Sequence, residues 1–504
     1  MVTEPQPPID AGAAPPTSMA RRVAGGAVYV GLAQGVKIAT TLLSTILIAR
    51  LLSPHDYGVA AMTAPVVAFL QVFQTLGLNQ AMVQRPTITP AQFDAMFWMN
   101  ACASAVIAGA LLAISPLVGL FYHEPGAGWL CAATSGTVLL TGATLQHVAL
   151  LNRNLRFKTL SGIDMVISVT TFAGTAVAAY LLRNYWALWV GPFLAAGLNV
   201  LLVWRADSWR PRLGGDFAGS HDMLRFGRHL TAGNFISFFG RNLDNVLIAK
   251  AWGSTQVGLY DRAYKLMMFP LQNISNPISR IMIPILSRMA DDPERYRRVA
   301  LGAIRALLLI VLPAVAVAIG TTERLVPFLL GARWASATPI FFWLSLAGLT
   351  QLLMQSLGWL FVSTGKGQAY VTWTIVNSVT SIAAFAIGLP WGAAGVAAAF
   401  CLSDVFIRTP FALWWVGRAT PVRALDLYRL FFPFALNAGL IWLLGQALAP
   451  RLATLPLLMT CTLASYALCT GLQGLTASGR RDLSTSIALV SERLKALTSK
   501  ARRS

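Results

Sequence analysis

Two segments 200 residues apart carry the same pattern. Residues 47–58 read LIARLLSPHDYG, and residues 247–258 read LIAKAWGSTQVG. Leu, Ile and Ala match in register, Arg50 answers Lys250, and Gly58 answers Gly258. The apolar stretch before each copy bears polar residues at matching offsets. They are Gln34, Lys37, Thr41 and Ser44 in the first stretch, and Asn234, Ser237, Arg241 and Asp244 in the second. Steps of three and four place each set on one helical face. A chain built this way is expected to fold as two related halves, with polar stripes on apolar helices lining a central polar cavity.

The medium in which it folds follows from composition. The chain is 56% hydrophobic and 12% charged, with a mean hydropathy of +0.61. Soluble domains run at about 25% charged residues. Fourteen apolar spans are legible, near 24–48, 57–77, 95–121, 127–150, 160–182, 186–204, 229–249, 257–283, 297–319, 339–362, 369–389, 392–416, 429–448 and 453–475. A backbone in lipid must satisfy its own hydrogen bonds, so spans of this length are helices. The fold class expected is an all-α integral membrane protein of about fourteen transmembrane helices. It divides into an unstructured N-terminus (1–23), a first six-helix lobe (24–205), a polar linker (206–228), a second six-helix lobe (229–416), two added helices (417–475) and a basic amphipathic tail (476–504). Six spans per lobe bring both repeat copies in from the same side, so the repeat is parallel.

The formal charge of +20 is not the footprint of a nucleic-acid partner, because it collects in alternate loops. With the N-terminus cytoplasmic, 27 of the 39 lysines and arginines fall on the inside. Only Arg50, Arg183, Lys250, Arg324, Arg333 and Arg451 fall outside. The positive-inside rule therefore puts both termini in the cytoplasm. The five cysteines lie in apolar runs without metal-ligand spacing, as expected of small apolar filler. No phosphate-binding loop and no catalytic constellation is present in the sequence, so neither an enzyme nor a bound cofactor is expected.

The chemistry is carried by charges inside the spans, each costing about 2.5 kcal/mol or more in hydrocarbon. Six are basic: Lys37, Arg241, Arg262, Lys265, Arg305 and Arg408. The acids are few: Asp164, Asp244, Asp261 and Asp404. Lys37 has no acid within a helical turn and is the leading candidate for ligand contact. Asp404 with Arg408, and Arg241 with Asp244, have the spacing of neutralising pairs. Asp261, Arg262 and Lys265 have the alternative of snorkelling at an interface. A cationic balance suits an anionic head group. Gln34, Asn234 and Asn273 are candidates for the polar lining, with helix–helix hydrogen bonding as the alternative. Tyr29, Phe238, Phe239 and Trp359 are candidates for stacking on sugars or for plain packing. Pro270, Pro277 and Pro284 recur along the eighth span and predict a bent helix.

Two stretches carry a family resemblance. STILIARLLSPHDYGVAAM at 44–62 and RNLDNVLIAKAWGSTQVGLYDRAYKLMMFPLQNISNPISRIMIPILSRM at 241–289 resemble the polysaccharide transporter branch of the multidrug/oligosaccharidyl-lipid/polysaccharide exporter superfamily, in its Wzx-like, colanic-acid type. The resemblance implies a two-lobe flippase in the bacterial inner membrane that moves an undecaprenyl-diphosphate-linked oligosaccharide by alternating access. It implies coupling to H+ or Na+, and membrane lipids and polymerase or export machinery as partners. The cationic-cavity idea carries onto Lys37, Arg241, Arg262, Lys265, Arg305 and Arg408. Three alternatives remain: a cation or drug antiporter of the same fold, a lipid II flippase, and a membrane-embedded glycosyltransferase. The first would hold carboxylates in the first lobe; the last would need a sizeable outside loop.

Overall fold

The computed structural model describes residues 16–74, 89–213 and 221–474, with side chains left undescribed at 16–28, 72–74, 221–239 and 241. The described residues are helical throughout, with no strand. The helices are α1 (Pro16–Leu51), α2 (Pro54–Gln74), α3 (Pro90–Tyr122), α4 (Pro125–Gly142), α5 (Leu145–Arg153), α6 (Phe157–Leu182), α7 (Ala187–Ala206) and α8 (His221–Ser287). There follow α9 (Pro293–Gly320), α10 (Thr322–Leu330), α11 (Thr338–Ser363), α12 (Gly367–Gly388), α13 (Gly392–Ser403), α14 (Thr409–Ala419), α15 (Ala424–Leu448) and α16 (Thr454–Gly474). Within the described residues, the apolar spans read from the sequence fall on these helices, the fourth (127–150) being divided between α4 and α5. Among the described residues, ten helical stretches are long and apolar enough to cross a membrane on length and hydropathy alone, one of them covering both spans of residues 367–419. The chain is an all-α, multi-pass membrane protein.

Local chemistry explains the helix ends. At α2, the Ser53 and Asp56 side chains cap one another's backbone N–H groups, at 3.3 and 2.9 Å, with Pro54 in the first helical position. At α3, Thr89 and Gln92 form a capping box and His123 closes the helix in the left-handed region at φ 56°. Helix α1 starts at Pro16, so residues 16–23, read from the sequence as part of an unstructured N-terminus, are helical. Residues 1–15, part of the linker (214–220) and the tail from 475 lie outside the described residues.

Helix α8 is two helices in one. Gly253 adopts φ 78°, ψ −176°, and breaks it. The Tyr260 hydroxyl donates to the Asp244 carboxylate at 3.0 Å, although 16 residues of straight helix would separate them by about 24 Å. The chain therefore folds back at Gly253, as a hairpin between the seventh and eighth spans requires.

The chain forms two compact units, residues 1–262 with 389–396, and residues 263–388 with 397–504. In the first, α1 packs along α6, α3 on α4, and α6 on α7. Small residues let these backbones close up: a methyl group on Gly128 would lie 2.8 Å from the Ser115 carbonyl, and one on Gly174 would lie 3.2 Å from Gly191. In the second unit, α9 packs on α11, α15 and α16. The Ser465 hydroxyl donates to the Pro313 carbonyl at 3.0 Å and accepts from Asn437 at 2.9 Å, tying α9, α15 and α16 together.

Candidate functional site

Lys37 stands exposed in the middle of α1, with Gln34 half-buried one turn before it. Its neighbour of opposite charge comes from another helix. The Asp164 carboxylate on α6 interacts electrostatically with the Lys37 ammonium. Nearer the start of α6, the Lys158 ammonium lies over the Tyr29 ring, 5.0 Å from its centre. The α1–α6 seam is therefore a polar track through an apolar unit. Asp164 was visible in the sequence as a charge inside a span. What the sequence did not reveal is that the packing of α1 on α6 brings it within electrostatic range of Lys37.

The two copies of the repeat meet within the first unit. A methyl group on Gly58 would overlap the Ser254 carbonyl, and one on Gly258 would overlap the Pro54 carbonyl. Pro54 and Ser254 are themselves repeat mates, so the contact is reciprocal: each glycine touches the mate of the other's partner. Ile48 and Ala49, and their mates Ile248 and Ala249, are all buried. Around the crossing, His55 Nε2 lies 3.1 Å from Glu124 Oε2, and the Ser254 hydroxyl donates to the same oxygen at 3.4 Å. Lys250 donates to the Phe121 carbonyl at 2.6 Å. Three turns are thereby stitched together at one end of the unit.

The other candidate residues fall into distinct settings. The Arg262 guanidinium sits 3.9 Å from the centre of the Tyr57 ring, and Asp261 lies 4.0 Å away. Asp244 bonds Tyr260; the side chains of Arg241 and Asn234 lie outside the described residues. In the second unit, Lys265 is exposed, whereas Arg305 is only 7% exposed. Asn273 donates to the Phe269 carbonyl of its own helix at 2.8 Å. Trp359 is buried and donates to Ser279 Oγ at 2.6 Å, which makes it a packing residue rather than a sugar platform.

Asp404 and Arg408 sit in a single π-helical turn between α13 and α14 and pair at 3.0 Å. The Thr350 hydroxyl donates to Asp404. Arg408 donates to Ser381 Oγ at 2.8 Å and to the Phe400 carbonyl at 2.9 Å. A π turn leaves a register shift in the backbone that such a pair fills. Thr350 on α11, Ser381 on α12 and the Phe400 carbonyl on α13 meet this buried pair, so its charges are directed into the unit. Lys37 and Lys265 are thus the exposed members of the five candidate cations whose side chains are described.

Residues 47–339 match the family model for polysaccharide biosynthesis proteins. The chain belongs to this family. Curated relatives agree. The Bacillus subtilis (strain 168) teichuronic acid biosynthesis protein TuaB is 24% identical over 60% of this chain and 64% of its own length. The Escherichia coli (strain K12) lipopolysaccharide biosynthesis protein WzxC is 23% identical over 77% of this chain and 80% of its own. Among solved structures, the lipid II flippase MurJ in an inward closed conformation superposes with a TM-score of 0.73 at 12% identity, covering 89% of this chain and 98% of that one. An inward-facing multidrug transporter of the MATE family gives a TM-score of 0.56 at 14% identity, covering 78% and 96%. At these identities the structural likeness concerns the fold. Family membership gives the chain a polysaccharide-biosynthesis context, and its fold is the one those solved transporters share.

Proposed function

We propose that the protein is a flippase that carries an undecaprenyl-diphosphate-linked oligosaccharide from the inner to the outer leaflet of the bacterial inner membrane. Family membership supplies the polysaccharide context. The observation that carries the reading is Lys37, an exposed ammonium in mid-helix within an apolar unit. Holding a charge there costs free energy unless a polar ligand or water meets it. A diphosphate is such a ligand, and an ammonium serves it as a strong hydrogen-bond donor. Unaided flipping is prohibitive because hydroxyls and phosphate charges would lose their water.

In this reading both termini face the cytoplasm, as the Lys/Arg distribution supports. The Gly58–Gly258 crossing then lies at the outer end, closed, and transport requires it to open. Asp164 competes with phosphate for Lys37, so substrate entry and Asp164 protonation are linked, which gives a proton gradient a place to act. No enzymatic step and no resident cofactor belong to this mechanism. Membrane lipids and the polymerisation and export machinery are the expected partners.

The cation-antiporter alternative draws on one observation, the exposed Asp164 in the first unit. The Lys37 ammonium within electrostatic range of it argues against a cation site there. The test is leaflet-resolved assay of lipid-linked oligosaccharide in a deletion strain without a paralogue. Repeat units trapped on the cytoplasmic face, rescued by wild type and not by Lys37→Ala, support the flippase. Normal flipping in the deletion strain, with lost drug resistance instead, overturns it.

A further inference from the structure

The two added helices, α15 and α16, have no counterpart in the repeat, and the flippase reading leaves them without a task. They form one wall of a cavity of about 400 Å³ in the second unit. Its opposite walls come from the ends of α9 and α11 and from the short helix α10. The floor is a backbone crossing. A methyl on Gly320 would lie 2.6 Å from the Ile441 carbonyl, and one on Gly445 would overlap the Gly320 carbonyl. The side chains above this floor are Glu323 and Arg324 from α10, Phe342 and Trp343 from α11, and Trp442 and Gln446 from α15.

We infer that this cavity is a saccharide-binding subsite, which takes a neutral sugar of the transported oligosaccharide at the outer side of the membrane. The inference rests on the flippase reading for the source of the sugar and for the orientation. Three aromatic rings converge on one space from two helices, and Trp442 keeps 40% of its surface exposed. Sugar rings present C–H faces that stack on indole, and hydroxyl edges that need donors and acceptors. Glu323 and Gln446 supply acceptors. The Arg324 guanidinium has five N–H donors, of which one bonds the Ala449 carbonyl at 3.2 Å and holds the group in place. The volume is that of a small-ligand site.

Charge selects the sugar over a lipid phosphate. Glu323 and Arg324 cancel, so the lining has no cationic surplus to hold an anion, whereas a hydroxyl-rich ligand uses both signs. Membrane-interface tryptophans are enriched in belts at the headgroup level. Here two line one cavity beside an acid, a guanidinium and an amide. The subsite gives the head group somewhere to rest on the far side of the barrier, and it gives the added helix pair its role.

The test uses the full-length protein in nanodiscs and two probes, tritiated lipid-linked oligosaccharide extracted from the host and sugar-free undecaprenyl diphosphate. Trp442→Ala, Trp343→Ala and Glu323→Gln are expected to weaken binding of the sugar-bearing probe about tenfold and to leave the sugar-free probe unchanged. Trp442→Phe, which keeps a ring, restores most of the affinity. Equal loss of both probes marks a packing defect and overturns the subsite. Unchanged binding of both also overturns it. Loss of retained phosphatidylglycerol in native mass spectrometry, with sugar binding intact, reassigns the cavity to a lipid head group and overturns it as well. Wild-type protein that binds neither probe instead refutes the flippase reading itself, a result distinct from failure of the subsite.

Discussion

Gly58 and Gly258, the closing residues of the two repeat copies, each press against the helix start of the other copy. A side chain on Gly58 would meet the Ser254 carbonyl, and one on Gly258 would meet the Pro54 carbonyl and, at 2.8 Å, the Gly58 amide nitrogen. Such reciprocity is the intramolecular analogue of an isologous dimer contact, in which residue i meets j and j meets i. Because neither side can give way, the contact is either made by two glycines or not made.

Gly58→Ala and Gly258→Ala are each expected to destabilise the closed crossing by about 1–3 kcal/mol, the range of overpacking. In a cysteine-free background with a Thr255→Cys reporter, membrane-impermeant maleimide applied from outside should label several times faster than with both glycines present. Unchanged labelling together with full transport would show that the crossing is not a closure.

Lys37→Ala is expected to lower repeat-unit flipping at least about tenfold, the worth of one charge-assisted contact. Lys37→Arg keeps the charge and should retain a good part of the activity. Asp164→Asn frees the ammonium, so substrate should bind more tightly while the response of transport to an imposed proton gradient falls. Equal rates in Lys37→Ala and wild type, measured by leaflet assay at matched expression, would remove Lys37 from the substrate path.

Breaking the buried Asp404–Arg408 pair leaves one charge uncompensated. Asp404→Ala and Arg408→Ala should each cost about 3–5 kcal/mol, whereas the double replacement by leucine and methionine should recover most of it. Thermal unfolding of the purified protein is the measurement. A single variant that unfolds at the wild-type temperature but fails to transport would return Arg408 to the substrate-contact residues.

Ser465→Ala removes the link from α16 to the Pro313 carbonyl and leaves Asn437 without its acceptor. Interhelical bonds of this kind average about 0.6 kcal/mol in membranes and reach about 1.7. The expected loss lies at the upper end, because Ser465 serves two partners. Thermal unfolding of Ser465→Ala beside Ser465→Cys distinguishes the lost bond from lost volume.

The sequence alone determined a great deal. Lipid forces every spanning segment to be helical, so hydropathy located the helices, and the Lys/Arg bias proposed their direction. The repeat announced that residues 47–58 and 247–258 are equivalent, and a motif of that length was enough to indicate the family. Tertiary structure decided what the charged residues do. Arg262, Arg408 and Lys37 are each a cation in an apolar span; spacing offered Arg408 a partner in Asp404 but left the settings of the other two open. Packing places the first over Tyr57, seals the second with Asp404 and Ser381, and leaves the third exposed within electrostatic range of Asp164. The reason is physical. Whether a charge in a membrane helix is a ligand or a clasp depends on which neighbouring helix faces it, and that face is set by crossings such as Gly58 on Ser254, between residues nearly 200 positions apart.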